Sequence, residues 1–126
     1  MTFYQQQVEK LTREVYPHEY LTQKIMRAKR FMDERFAEDI SLERLAAEIS
    51  LSKFHFARLF KIYYGCSVHQ YLNSVRRAKA RELLRSGASV SHSCYAVGFS
   101  SLSSFTAFFR KSGGPSPRHF QRKKQV

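Results

Sequence analysis

Phe54, Ala57, Arg58 and Lys61 are the residues of this 126-residue chain whose types and spacing suggest chemistry on a partner. They lie between Ser52, a good helix N-cap, and Gly65, a good residue just past a helix end. Within that stretch Phe56, Leu59, Phe60 and Tyr63 recur at the i, i+3, i+4, i+7 spacing of one buried helical face. At about 100° per residue, Phe54, Arg58 and Lys61 fall on the opposite face, flanked by Ala57 and His55. That face carries two cations, a small side chain that permits close approach, an aromatic ring where water would normally lie, and no carboxylate. Such a surface suits the edge of a DNA base better than it suits solvent.

No other constellation competes. Serines, histidines and cysteines occur without a spaced catalytic partner, so no enzyme is expected. Cys66 with His69, or His92 with Cys94, offers two metal ligands where a structural zinc site needs about four. No metal and no cofactor are expected, and Cys66 and Cys94 read as the reduced thiols of a cytosolic protein.

Charge distribution names the partner's sign. Residues 1–51 hold 8 basic and 9 acidic side chains, whereas residues 52–126 hold 14 basic ones and a single acid, Glu82. A basic field confined to one part of a chain implies a polyanion. Nucleic acid fits better than an anionic membrane, because no long apolar run is present and the basic helices have core-facing stripes of their own. The opening residues, Met1 to Lys10, are polar and do not read as a secretory signal, so the cytoplasm is the expected compartment.

The elements that position those residues follow from a repeat. Forty-nine residues on, Phe56, Leu59, Phe60, Lys61, Gly65, Ser67 and Tyr71 map onto Phe105, Phe108, Phe109, Arg110, Gly114, Ser116 and Phe120. Hydrophobic content of 43% and scarce glycine and proline, with no sustained strand alternation, make the chain all-α. An N-terminal arm (1–18) holds a helix from Phe3 to Val15, interrupted by Pro17. A helix from Glu19 to Ala37 follows, with a stripe of Leu21, Ile25, Ala28, Met32 and Phe36. The first helix-turn-helix covers 41–64: Ser41 caps a short helix, Leu42 to Ile49, with Glu43 and Arg44 facing water, and Ser52 caps the second helix. Ser67 begins a long helix within 67–86, turning Val68, Tyr71, Leu72, Val75, Ala78, Leu83 and Leu84 inward. Some of its crowd of Arg76, Arg77, Lys79, Arg81 and Arg85 are expected to contact phosphate. The second helix-turn-helix covers 89–112, with a supporting helix Val90 to Val97 and a capped helix Leu102 to Ser112. A short helical turn and a basic tail close the chain, for about seven helices in 19–126 besides the arm.

Leu45-Ala46, Ser52 with Phe60-Lys61, Gly98-Phe99, Phe105 with Phe109-Arg110, and Gly114 before Ser116-Pro117 resemble the AraC/XylS family DNA-binding domain, over roughly residues 22–122. That resemblance implies a pair of helix-turn-helix units joined by a long helix, in a bacterial transcription regulator that is mostly an activator, here of the stand-alone type. It puts Phe54, Ala57 and Arg58 in one major groove and Leu102, Ser103 and Ala107 in the next. Arg58 would read a guanine, while the second set offers a serine hydroxyl and apolar contact to thymine methyls. Lys53, Lys61, Arg76, Arg110, Lys111 and Arg118 are candidates for phosphate. Double-stranded DNA bound by a monomer, RNA polymerase as a further partner, and the bacterial nucleoid as location follow from the same resemblance. Ser93 and Cys94 depart from the family pattern of an apolar residue and an alanine, and make the second supporting helix a weak former. The alternative is a nucleoid-type protein that binds DNA without sequence preference.

Overall fold

The computed structural model describes residues 2–15, 18–111 and 113–125, with side chains throughout except at 11–15, 18, 124 and 125. Pro17 and Ser112, which the sequence places at an interruption and a helix end, lie outside the described residues. The described residues form eight helices and no strand: α1 (Phe3–Val15), α2 (His18–Arg35), α3 (Leu42–Glu48), α4 (Lys53–Tyr64), α5 (Val68–Arg85), α6 (Val90–Ala96), α7 (Leu102–Arg110) and α8 (Pro117–Gln125). None of them is long and apolar enough to cross a membrane.

Hydroxyl caps decide where these helices begin. Ser41, Ser52, Ser89 and Ser101 each accept the backbone N–H three residues on, at 3.1, 3.1, 3.0 and 3.2 Å. Ser67 and Gln70 cap α5 reciprocally, at 2.9 and 3.1 Å, and Thr2 with Gln5 does the same for α1. Each cap contributes about 1 kcal/mol, which matters most for the seven-residue α3 and α6.

The chain divides into two compact units, residues 1–34 with 40–70, and residues 35–39 with 71–126. In the first, Leu21, Ile25, Ala28 and Met32 of α2, Leu45 and Ala46 of α3, Ile49, and Phe56 and Phe60 of α4 are buried. A buried leucine, isoleucine, methionine or phenylalanine is worth about 1.5–3 kcal/mol, so the α2 and α4 stripes together anchor this unit. Polar links fix the helices around it: Thr22 and Tyr63 share a hydrogen bond of 2.9 Å, and Lys24 Nζ donates to Ile49 O at 2.7 Å. Arg44, expected in water, lies half-buried with its guanidinium 5.3 Å from the Phe31 ring.

The second unit packs Ala80, Leu84, Cys94, Val97, Phe105, Phe109 and Phe120 together, with Phe36, Leu83, Val90, Phe99 and Phe108 against them. Ala80, and not the exposed Ala78, is the buried alanine of α5. The inward row runs at i+4 intervals through Leu72, Arg76, Ala80 and Leu84, and Ala78 falls about 200° round the helix from Ala80. The C-terminal stretch is a nine-residue helix where a single turn and a tail are expected. Ser116 caps it at 3.2 Å, Phe120 seats its ring 5.4 Å from Phe109, and Gln121 Nε2 donates to Leu84 O and Ala88 O.

Two turns have the same hydrogen-bond pattern and different residues. After α3, Leu51 N–H bonds Ala46 O and Ser50 N–H bonds Ala47 O; after α6, Phe99 bonds Cys94 O and Gly98 bonds Tyr95 O. Both are Schellman stops, which require a left-handed residue. Ser50 adopts it at φ 56° and Gly98 at φ 99°.

Candidate nucleic-acid interface

α4 and α7 each follow a short capped helix and a tight turn, so each is held at its N-terminal end and buries an aromatic stripe. What remains outside on α4 is Phe54 (52% exposed), Lys61 and Ile62, with Ala57 and Arg58 half-buried. On α7 it is Leu102, Ser103, Ala107 and Arg110, all exposed, with Thr106 half-buried. Ser103 Oγ lies 3.5 Å from the hydroxyl of the cap Ser101.

His55 departs from the expected outer face and is buried, because the edge of α4 bearing His55 and Arg58 is turned toward α1. Arg58 Nε donates to Glu9 Oε1 at 2.6 Å. Burial pulls His55 below the ordinary histidine range; the Glu9 carboxylate works against this shift and the Arg58 guanidinium with it. Sequence reading did not find Glu9, since helical periodicity says nothing of which residue of α1 meets α4.

The cations expected at phosphate separate into two groups. Lys61, Arg110, Lys111 and Arg118 are exposed. Lys53 is exposed but sits 2.8 Å from Glu43, and that hydrogen bond holds the Glu43 carboxyl below the usual range. Arg76 is turned inward: Nε donates to Phe36 O at 2.7 Å and Nη2 to Glu38 O at 2.9 Å. It closes the carbonyl end that follows α2, a structural clamp on residues 36–38, and burial lowers its pKa against the opposing pull of Asp39.

The other α5 cations are likewise spent on the fold. Arg77, Arg81 and Arg85, spaced by one helical turn each, lie over the rings of Phe108, Phe109 and Phe120 at 4.6, 5.9 and 5.4 Å. Their stems and guanidinium planes roof the second core, a cation–π ladder of the kind arginine favours. Lys79 pairs with Glu82 at 3.5 Å. The charge run is thus chiefly a lid over phenylalanines.

Ser93 and Cys94 fit α6 for a local reason. Ser93 is fully buried and returns its hydroxyl to Ser89 O at 2.9 Å, and Cys94 Sγ lies 3.4 Å from Ser101 O, across the turn. Burial pushes the Cys94 thiol up, toward its neutral form. Cys66 and Cys94 are both free, and no group of three or more potential ligands gathers among the described residues.

Comparisons with known proteins agree with this architecture. A helix-turn-helix domain model matches residues 45–123. The regulatory protein PocR of Salmonella typhimurium is 33% identical over 118 residues, 93% of this chain and 38% of PocR. The HTH-type transcriptional activator RhaS of Escherichia fergusonii is 37% identical over 92 residues, 72% of this chain and 33% of RhaS. The chain thus spans between 33% and 38% of these relatives' length. Among solved structures, the C-terminal domain of AraT, a response regulator from Geobacillus stearothermophilus, superposes with a TM-score of 0.78 at 28% identity, covering 82% of this chain and 87% of that one. The DNA-binding domain of AdpA, a global transcriptional factor solved with a target DNA, gives 0.75 at 26% identity, covering 80% and 92%. With the model match running from within α3 into α8, over more than half of the sequence, the chain belongs to the AraC-type family of helix-turn-helix DNA-binding transcription regulators, a family of regulators and not of enzymes.

Proposed function

We propose that this chain is a sequence-specific activator that binds duplex DNA as a monomer, with α4 and α7 entering successive major-groove segments about one helical turn, roughly 34 Å, apart. The observation that carries this reading is the outer side of α4. An exposed Phe54 stands with Ala57, Arg58 and Lys61 on a helix whose opposite face is fixed by two buried phenylalanines. Arg58 reads a guanine, Phe54 and Ala57 make apolar contacts, and Leu102, Ser103 and Ala107 face a second, less discriminating half-site. Lys61, Arg110, Lys111 and Arg118, and Lys53 once parted from Glu43, contact phosphates and set the register without specifying sequence. Arg76 has no place in this set. We take 19–126 as the DNA-binding domain and 1–18 as an arm, and RNA polymerase as the partner that an activator must touch.

Selection of bound fragments from a random DNA pool, followed by single-base-pair saturation of the selected site, tests the reading. Arg58→Ala is expected to cost about 1–3 kcal/mol and to relax preference at one position. Full retention of preference in that variant would refute the groove assignment. Binding that random DNA competes away equally at every site would favour the nucleoid-type alternative.

A further inference from the structure

Arg58 is engaged inside the molecule by the group that opposes DNA most directly. Its Nε lies 2.6 Å from Glu9 Oε1, and the two side chains are only 25% and 17% exposed. A guanidinium that reads guanine must bring its N–H groups to about 3 Å from O6 and N7. The Glu9 oxygen accepts the kind of bond that those base atoms would accept, and it places a negative charge beside α4 where a polyanion has to approach. Three residues earlier on the helix His55 is buried, with Glu9 and Arg58 as its charged neighbours. In the described part of α1, by contrast, Phe3 and Tyr4 are 75% and 72% exposed and Val8 is half-buried. That stretch of the helix places its two large aromatic rings in solvent and its carboxylate on the recognition helix.

We propose that α1 competes with DNA for α4: Glu9 holds Arg58 in place of a base, and specific binding requires that pair to open. This inference rests on the assignment of Arg58 as a base-reading residue. A closed state reduces apparent affinity by the fraction of molecules that are open. A charge-assisted hydrogen bond at intermediate burial implies a penalty of about 3- to 30-fold.

The test uses the whole chain in four forms, wild type, Glu9→Gln, Arg58→Ala and the double variant, titrated by fluorescence anisotropy with the selected duplex and with random duplex. Glu9→Gln should tighten binding to the selected duplex by about 3- to 30-fold, and binding to random duplex by less. In the Arg58→Ala background the same substitution should leave only the small gain due to one lost negative charge. Hydrogen exchange on the wild-type protein supplies a second readout that needs no variant to fold: amides of residues 3–15 should lose protection when the selected duplex saturates the protein. Weaker binding by Glu9→Gln would make Glu9 a positioning residue for Arg58 and overturn the proposal. So would equal tightening with and without Arg58, or α1 protection unchanged by DNA. If Arg58→Ala alone leaves base preference intact, the groove assignment fails first and this inference falls with it, a result distinct from the others.

Discussion

Replacing Gly98 with alanine should destabilise the second unit more than any other single methyl addition at a glycine of this chain. A Cβ built at Gly98 falls 2.7 Å from Ala37 O and 3.1 Å from both Ala37 C and Cα. The obstacle is backbone, and Arg76 pins the carbonyls on either side of it, Phe36 O and Glu38 O, so it cannot swing away. The left-handed conformation at φ 99° adds a cost of about 1–2 kcal/mol for any side chain. Overpacking adds about 1–3 kcal/mol, and the reduced entropy of the unfolded chain returns about 0.4–1. The net expectation is about 2–4 kcal/mol, against a total of roughly 5–15 for a domain. Gly87 is the internal control: its φ is 94°, but nothing lies within 4 Å of its Cβ position. Gly87→Ala should therefore cost only about 1 kcal/mol. Urea unfolding followed by far-UV circular dichroism reads both as midpoint shifts at constant slope. Equal shifts for the two variants would refute the claim that the close approach of residue 37 is what demands glycine at 98.

Three further outcomes follow from the same geometry. Ser50→Gly should stabilise the first unit by about 0.5–1 kcal/mol, because serine there holds φ 56° at a Schellman stop; a loss of stability in thermal melts would mean its side chain is needed. His55 should make that unit acid-sensitive: its folded pKa lies below the ordinary value of 6.5, so stability is complete above that value and falls as pH drops through it, since only the unfolded chain takes up the proton. The decline should end below the folded pKa, and His55→Gln should flatten it in melts recorded across pH. The log–log salt dependence of DNA binding should have a slope near −4 to −5, about −0.9 for each of the proposed contacts Lys53, Lys61, Arg110, Lys111 and Arg118, and a slope near −10 would show that the α5 arginines also reach phosphate.

Much of the fold was legible because its signals are local. Ser41, Ser52, Ser67, Ser89 and Ser101 announce helix starts through a hydroxyl that reaches three residues ahead, and α5 begins and ends at Val68 and Arg85 as the capping and glycine signals require. The α4 and α7 stripes were readable because Phe56, Phe60, Phe105 and Phe109 follow the helical period. Illegible features all depend on what a side chain meets across space. Arg77, Arg81 and Arg85 have the same letters whether they face water, phosphate or a phenylalanine ring. Gly98 stands out in sequence, but the carbonyl of Ala37 that forbids a methyl there does not. Ser50 hides its left-handed backbone because glycine, which would have marked it, is absent. α8 was read as a single turn because beyond Pro117 it buries one ring, Phe120, which gives no periodicity in a run of cations.

The division of labour among the basic residues changes what the net charge of +12 means. Read as a sum, residues 52–126 suggest an extended cationic surface. Read residue by residue, four of the fourteen basic side chains, Arg76, Arg77, Arg81 and Arg85, hold backbone carbonyls or roof aromatic rings within the second unit. Arginine suits this double use because its guanidinium stays charged while its flat faces pack on a ring. The positive potential those four create still reaches solvent and can steer a polyanion at a distance, while on the proposed binding mode close contact falls to the exposed cations Lys61, Arg110, Lys111 and Arg118. On that proposed mode, association rate and bound-state affinity would depend on different residues. The first depends on the whole field and weakens with salt, while the second depends on a handful of side chains placed by two capped helices.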